Sequence, residues 1–267
     1  MSTATKATRQ ISFGSLLQTI FMTQTRTTLT SRKAIALICV NLLPIVGAVF
    51  YLLSDGKSGL DIYKGLVEFV VFTLLLPLTC LFNGGPAVVE EIEGRTITYL
   101  FLRPVSKPAI FLGKMFSAVV SSVLLVIVPM IPLFFICMAA GGSVDESLKL
   151  FFQTLVSGTV GCVAYTAFFA ALGALFARSL LAGILYWAVV EWGMSFVPIL
   201  EFATLKFHLR NAGNLIDAGH MGMLDKMVLG DNPVVVPIWA SFAVLLGLAT
   251  LVTAVGAWVF NDRQYLV

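Results

Sequence analysis

Residues 115–140 read MFSAVVSSVLLVIVPMIPLFFICMAA, 26 positions without one charged side chain. A bilayer with a hydrocarbon core about 30 Å thick is crossed by roughly 20 apolar residues in a helix. This run is long enough to cross. In lipid the main chain finds no water, so its N–H and C=O groups must bond within the segment. A helix does that; a barrel would show alternating segments of about ten residues, which this run does not. Pro129 and Pro132 predict a bend near one end of the span.

Moving outward, five further stretches of this kind run over Ala34–Leu53, Ile62–Phe82, Leu150–Ala177, Leu180–Leu200 and Val234–Phe260. Pro44 and Pro77 lie inside two of them, which a membrane helix tolerates when neighbours re-satisfy the freed carbonyls. Composition agrees with lipid as the main solvent. Of 267 residues, 58% are hydrophobic and only 12% charged, against about 25% charged in a soluble domain. A cytosolic enzyme, a disordered chain and a nucleic-acid binder are excluded. The net charge of +3 identifies no partner.

Lys and Arg set the expected orientation. Eleven of the 17 fall in the N-terminal segment, the 83–114 loop, the turn at Arg178 and the C-terminal end. The remaining six fall on the other side, so both termini are expected to be cytoplasmic. Before the first span, Phe13, Leu16, Leu17, Ile20 and Phe21 recur at helical spacing, with Gln18, Thr19, Gln24 and Thr25 between and beyond them. Residues 11–33 are therefore expected to form an amphipathic helix lying in the cytoplasmic interface. Residues 1–10 are expected to be a disordered tail. The whole reads as an all-α integral membrane protein: six transmembrane helices within 34–267, preceded by the interfacial helix.

Chemistry is sparse. Gly56-Lys57-Ser58 is not a phosphate loop, because the first glycine that motif needs is Tyr51. No common hydrolase signature occurs. Cys39, Cys80, Cys137 and Cys162 lie in apolar runs and read as small core hydrophobes. His208 and His220 are twelve residues apart in one loop, without the spacing of a metal site. No metal is expected. Any energy source must come from another chain or from an ion gradient.

Two acids sit inside spans, Glu68 and Glu191. Carboxylates at such depth cost about 2.5–3.5 kcal/mol on insertion scales, which makes both candidates for a translocation path. Glu68 also stands four residues after Lys64, where an i,i+4 pair could snorkel to the interface. Glu191 must be protonated, hydrogen-bonded to another helix or facing water. The fourth span carries Ser157, Gly158, Gly161, Cys162, Ala164, Ala170, Gly173 and Ala174, which let helices approach closely. Packing within the chain and a dimer seam are both compatible with that stripe.

Two connections are long: 83–114 inside, and 201–233 outside. The outer one is expected to hold short helices lying on the membrane, or a partly re-entrant pair. The inner one reads NGGPAVVEEIEGRTITYLFLRPVSKPAIFLGK. It is expected to open on a Gly-Gly-Pro break and an acidic turn of Glu90, Glu91 and Glu93. An apolar piece including Tyr99 and Leu100 follows and stops at Arg103-Pro104. Lys107-Pro108 then leads a second short helix into the third span. Apolar side chains in such a loop need a membrane surface or a partner's groove.

This segment resembles the loop between the second and third spans of ABC-2-type exporter permeases. The matching residues are Glu91, Glu93, Thr96, Leu100, Arg103, Pro104, Ser106, Ile110, Gly113 and Lys114. Many members place Gly directly before the Thr; here Arg95 stands between Gly94 and Thr96. The resemblance implies a permease subunit that forms the path as a homo- or heterodimer. Two separate ATPase subunits would grip a coupling helix in this loop, with Glu90, Glu91, Glu93, Arg95, Thr96, Tyr99, Leu100, Arg103, Pro104 and Lys107 as the contact residues. ATP and magnesium would then bind the partner and no cofactor this chain. It also implies a bacterial inner membrane. Two other readings remain: an ATP-driven scaffold that transmits force across the membrane, and a proton-coupled secondary transporter using Glu68 or Glu191.

Overall fold

The computed structural model describes residues 13–54, 58–93, 107–139, 141, 144–176, 178–194, 198–216 and 236–262. Among them the chain is helical, with no strand. Helix α1 (Phe13–Leu29) ends in a turn at Thr30-Ser31. Ser31 has extended backbone and its hydroxyl accepts from the Ala34 N–H at 3.2 Å, which caps α2 (Arg32–Asn41). A turn at Leu42 separates α2 from α3 (Leu43–Ser54), whose first turn contains Pro44, where no main-chain donor is needed.

The second span begins as α4 (Gly59–Gly65), widens into a π-helix over Leu66–Leu75 and returns to α geometry in α5 (Leu76–Glu93). The third is α6 (Lys107–Met138) and the fourth α7 (Val144–Leu175). Then come α8 (Ser179–Tyr186), a second π-helix over Trp187–Gly193, the short α9 (Pro198–Glu201), α10 (Leu205–Ala212) and α11 (Ile238–Asp262).

Five of these segments are long and apolar enough to cross a membrane: Arg32–Leu53, Gly59–Ala87, Pro108–Met138, Val144–Leu175 and Ile238–Asp262. Of the stretch expected as a sixth span, Leu180–Leu200, the described residues give eight α-helical residues and seven π-helical ones over Ser179–Gly193, and residues 195–197 lie outside the described ones. At the α-helical rise of 1.5 Å per residue Ser179–Gly193 is about 22 Å long, short of a 30 Å hydrocarbon core. Gly193 weakens the helix at that end.

Burial separates the spans by role. The most apolar windows of Gly59–Ala87 and Val144–Leu175 are each 61% buried, against 17% for Arg32–Leu53 and Ile238–Asp262. The window of Pro108–Met138 is 44% buried, so the second, third and fourth spans make the core. Phe134 and Phe151 stack at 4.3 Å, and Tyr63 packs edge-on against Phe134 while its hydroxyl bonds Thr154 Oγ1 at 2.8 Å. Polar bonds tie the remaining pairs: Asn41 to Thr79 at 3.0 Å, and Asn83 to Ser122 at 3.0 Å.

The small-residue stripe of α7 is used inside the chain. Gly158 faces Phe72 and Ile127, Gly161 faces Leu209 and Leu76, and Ala171 lies against Gly256 of α11. The expected Gly-Gly-Pro break is not one, because α5 runs through Gly84, Gly85 and Pro86 to Glu93. Gly84 is needed for contact rather than for a turn: a Cβ there would stand 2.8 Å from the carbonyl oxygen of Thr166. The short helix expected from Lys107 is not separate from the third span, since α6 is continuous over Lys107–Met138.

Candidate functional site

Helix α10 comes from the long connection before the last span, and it enters the bundle. Leu205 and Leu209 are fully or nearly fully buried, as are Phe207 and Ala212 on the same helix. Leu209 reaches Gly161, near the middle of α7, and Leu76 lies beside the same position. Ser157 donates its hydroxyl to the Leu209 carbonyl at 2.7 Å. Gly213, just past the helix end, approaches Phe72 so closely that a Cβ would stand 3.1 Å from the ring. The helix therefore sits as a wedge between the second and fourth spans, about halfway along both.

Two side chains satisfy the first N–H groups of this wedge. Thr204 accepts from the Phe207 N–H at 3.2 Å. Glu191 accepts from the Lys206 N–H at 3.1 Å through one oxygen and from the Tyr186 hydroxyl at 3.0 Å through the other. A carboxylate at a helix N-terminus meets both the unpaired donors and the positive end of the helix dipole. Glu191 is 1% exposed, so these hydrogen bonds rather than water satisfy its oxygens. The wholly buried Tyr165 hydroxyl makes no hydrogen bond among the described residues.

Near the other end of α10, Arg210 forms ion pairs with Glu68 and with Glu201, the latter at 3.1 Å. The side chains of Arg210 and Glu68 are 21% and 29% exposed, which makes this a partly buried pair. Asn211 donates to the Val236 carbonyl at 2.9 Å and to Ser241 Oγ at 2.8 Å, joining α10 to the start of α11. His208 Nδ1 lies 3.3 Å from the same Ser241 hydroxyl. Burial pushes the His208 imidazole below its ordinary value. Burial also lowers Lys206, and the Arg210 charge adds to that.

Glu68 and Glu191 are thus brought to one element, one toward each end of α10. Each also lies in a π-helical stretch. Such stretches are rare and are frequently found at functional sites. The two stretches are joined directly, by Trp187 Nε1 donating to the Thr73 carbonyl at 3.1 Å.

The residues expected to contact an ATPase fare differently. Arg95, Thr96, Tyr99, Leu100, Arg103 and Pro104 lie outside the described residues. Glu90, Glu91 and Glu93 fall on the last turns of α5, and Lys107 opens α6; only the backbone is described at these four. Among the described residues no cluster of His, Cys, Asp and Glu could hold a metal ion.

Sequence reading missed Arg210, Glu201, Asn211 and Ser241 as site residues, and gave Ser157 only as a small residue for close helix packing. The available signal was Thr204 followed by Leu205, Leu209 and Ala212, a capped apolar stripe inside a connection otherwise mixed in charge.

A family model described as ABC-2 family transporter protein matches residues 30–191, more than half of the chain. The chain belongs to that family, and it is a multi-pass membrane protein of the ABC transporter permease type. The match runs from the end of α1 to Glu191; α9, α10 and α11 lie past it. No curated protein matches the chain.

Proposed function

We propose that the chain is the permease subunit of an ABC exporter, in which α10 is the closure of the path on the outer side. The observation that carries this reading is the wedge itself. An eight-residue helix is inserted between the second and fourth spans and held by two intramembrane acids. An isolated helix of that length has no stability of its own in water. Its position is set by contacts that can be made and broken, as a gate requires.

Family membership supports association with ABC ATPase subunits in general. The finer proposal is that two copies, identical or not, line the path. Each is driven by a separate ATPase seated against residues 83–114. ATP and magnesium bind those partners, and this chain carries no catalytic site and no cofactor. Both termini lie in the cytoplasm, in a bacterial inner membrane. Ser179–Gly193, completed by the chain that follows, makes the sixth crossing. That count puts both termini on one side.

Co-purification from the native membrane tests this. A stoichiometric ATPase is expected with the wild-type chain and is lost on Leu100→Ala or Arg103→Ala, with thermal unfolding unchanged. Absence of any nucleotide-binding partner, together with proton-dependent flux by the chain alone, rejects the proposal in favour of a secondary transporter.

A further inference from the structure

The last span is held unlike those of the core. The buried residues of α11 are Ser241, Leu245, Ala249, Gly256 and Phe260, spaced by four or seven, so one ridge of the helix meets the bundle. Its most apolar window is 17% buried, against 61% for that of α7, along which it lies. The same ridge reaches α6 near its inner end and α10 near its outer end.

Both ends are seated on named side chains. At the inner end, a Cβ on Gly256 would stand 2.7 Å from Phe111 Cζ and 3.2 Å from the Ala171 Cβ. The Phe260 ring, one turn on, has its centroid 5.9 Å from that of Phe111. One turn the other way, Thr253 Oγ1 lies 3.4 Å from Met115 Sδ. Phe111 and Met115 belong to the first turns of α6, through which the 83–114 connection enters the third span. At the outer end, the Ser241 hydroxyl meets two side chains of α10, Asn211 Nδ2 at 2.8 Å and His208 Nδ1 at 3.3 Å. From Ser241 to Phe260 the helix has no proline and rises about 28 Å, at about 1.5 Å per residue. The second span carries Pro77 and a π-helical stretch, and the third carries Pro129 and Pro132. Those are places where a helix bends instead of passing a push along its axis.

We propose, on the reading of 83–114 as the ATPase contact and of α10 as the outer closure, that α11 is the rod joining the two. Phe111 and Gly256 form its input seat and Ser241 its output. When the start of α6 shifts, the Phe111 ring meets a glycine, so no side chain yields and the displacement passes to the main chain of α11. A helix held along one ridge slides as a body without repacking the core. At the far end two α10 side chains share one hydroxyl, so a movement of Ser241 changes both contacts together. Phe111, Gly256 and Ser241 are positioning residues, acting through α10.

Amide hydrogen exchange of the detergent-purified full chain tests this. It needs no ATPase, so its failure is separate from failure of the co-purification above. Gly256→Ala drives a methyl group into the input seat, and exchange at residues 205–212 is expected to rise about threefold or more, while residues 78–86 of α5 keep theirs. In a Ser241→Ala chain, where the output is already cut, Gly256→Ala should add nothing at 205–212. Phe111→Leu withdraws the ring from the same seat and should show the same dependence on Ser241. Gly247→Ala, on the same helix with nothing within 4 Å of its missing Cβ, should leave exchange at 205–212 unchanged. The proposal is overturned by an effect of Gly256→Ala that persists in full without the Ser241 hydroxyl. Unchanged exchange at 205–212 also overturns it, and so does an equal rise at 78–86, which would be general loosening.

Discussion

The indole N–H of Trp187 donates to the main-chain carbonyl of Thr73 at 3.1 Å, and residue 77, one α-helical turn beyond Thr73, is a proline. Pro77 brings no N–H to the carbonyl four residues before it. In lipid that carbonyl would have no water either. A side chain from a second π-helical stretch therefore completes the hydrogen bonding of the first, and the two stretches that carry Glu68 and Glu191 become one unit.

Trp187→Phe keeps the ring and removes the donor. The expected loss is about 0.5–1.5 kcal/mol, the net worth of one hydrogen bond. Trp192→Phe, at an exposed ring in the same stretch, should change stability by less than about 0.5 kcal/mol. Thermal unfolding of the two variants in one detergent makes the comparison. Equal shifts would mean that the hydrogen bond has no measurable role.

The ion pair between Arg210 and Glu68 links α10 to the second span. Being partly buried, it should be worth more than a surface pair but less than a fully desolvated one. A double-mutant cycle with Glu68→Gln and Arg210→Gln is expected to give a coupling of about 1–2 kcal/mol. Glu201 shares the guanidinium, so Arg210→Gln alone should cost more than Glu68→Gln alone. Zero coupling would detach the wedge from Glu68.

Glu191 acts on α10 as an acceptor, and an amide oxygen can accept as well. Glu191→Gln should retain the Lys206 bond and cost little, whereas Glu191→Leu leaves the Lys206 N–H and the Tyr186 hydroxyl unpaired and should cost about 2–3 kcal/mol. Amide hydrogen exchange at residues 205–207 reads the effect at the helix that is capped. Equal protection in both variants would remove Glu191 from the cap.

Close approach of the second and fourth spans rests on Gly84. Gly84→Ala drives a methyl group against the Thr166 main chain, which cannot swing aside as a side chain would, and the expected loss is about 1–3 kcal/mol. Gly247, in the middle of α11, has nothing within 4 Å of its missing Cβ. Gly247→Ala should be neutral or stabilise by up to about 1 kcal/mol, through helix propensity alone. Urea or thermal melts of the pair decide whether this contact, rather than glycine content, sets the spacing.

His208 is buried and its pKa is lowered, so the folded state keeps it neutral where the unfolded chain is already protonated. In that window the unfolded chain holds the extra proton, and stability falls as pH drops below the ordinary histidine value of about 6.5. The loss stops once the pH is below the lowered value. His208→Gln should flatten the slope of Tm against pH between about pH 5 and 7. An unchanged slope would place the titration elsewhere.

Hydropathy alone located the spans that now form the core, because length and absence of charge are properties of a segment by itself. It failed where the decisive contact is distant. Glu68 was matched with Lys64, four residues away, and the structure adds Arg210, 142 residues away. The Gly-Gly-Pro triplet looked like a break because the Thr166 backbone that Gly84 meets cannot be read locally. The π-helical stretches carried no sequence signal. For the candidate site, both acids were visible as charges in apolar runs, but the helix that joins them was visible only as a short stripe in a connection.

Ser157 and Glu68 reach α10 from spans that precede it in the chain, while Asn211 of α10 reaches Ser241 on α11, which follows it. Synthesis runs from the N-terminus. The seat for α10 is therefore made before the helix itself, and the element that straps it down is made after. Order along the chain matches the order in which the wedge meets its partners, so α10 has half of its contacts available while α11 is still being made.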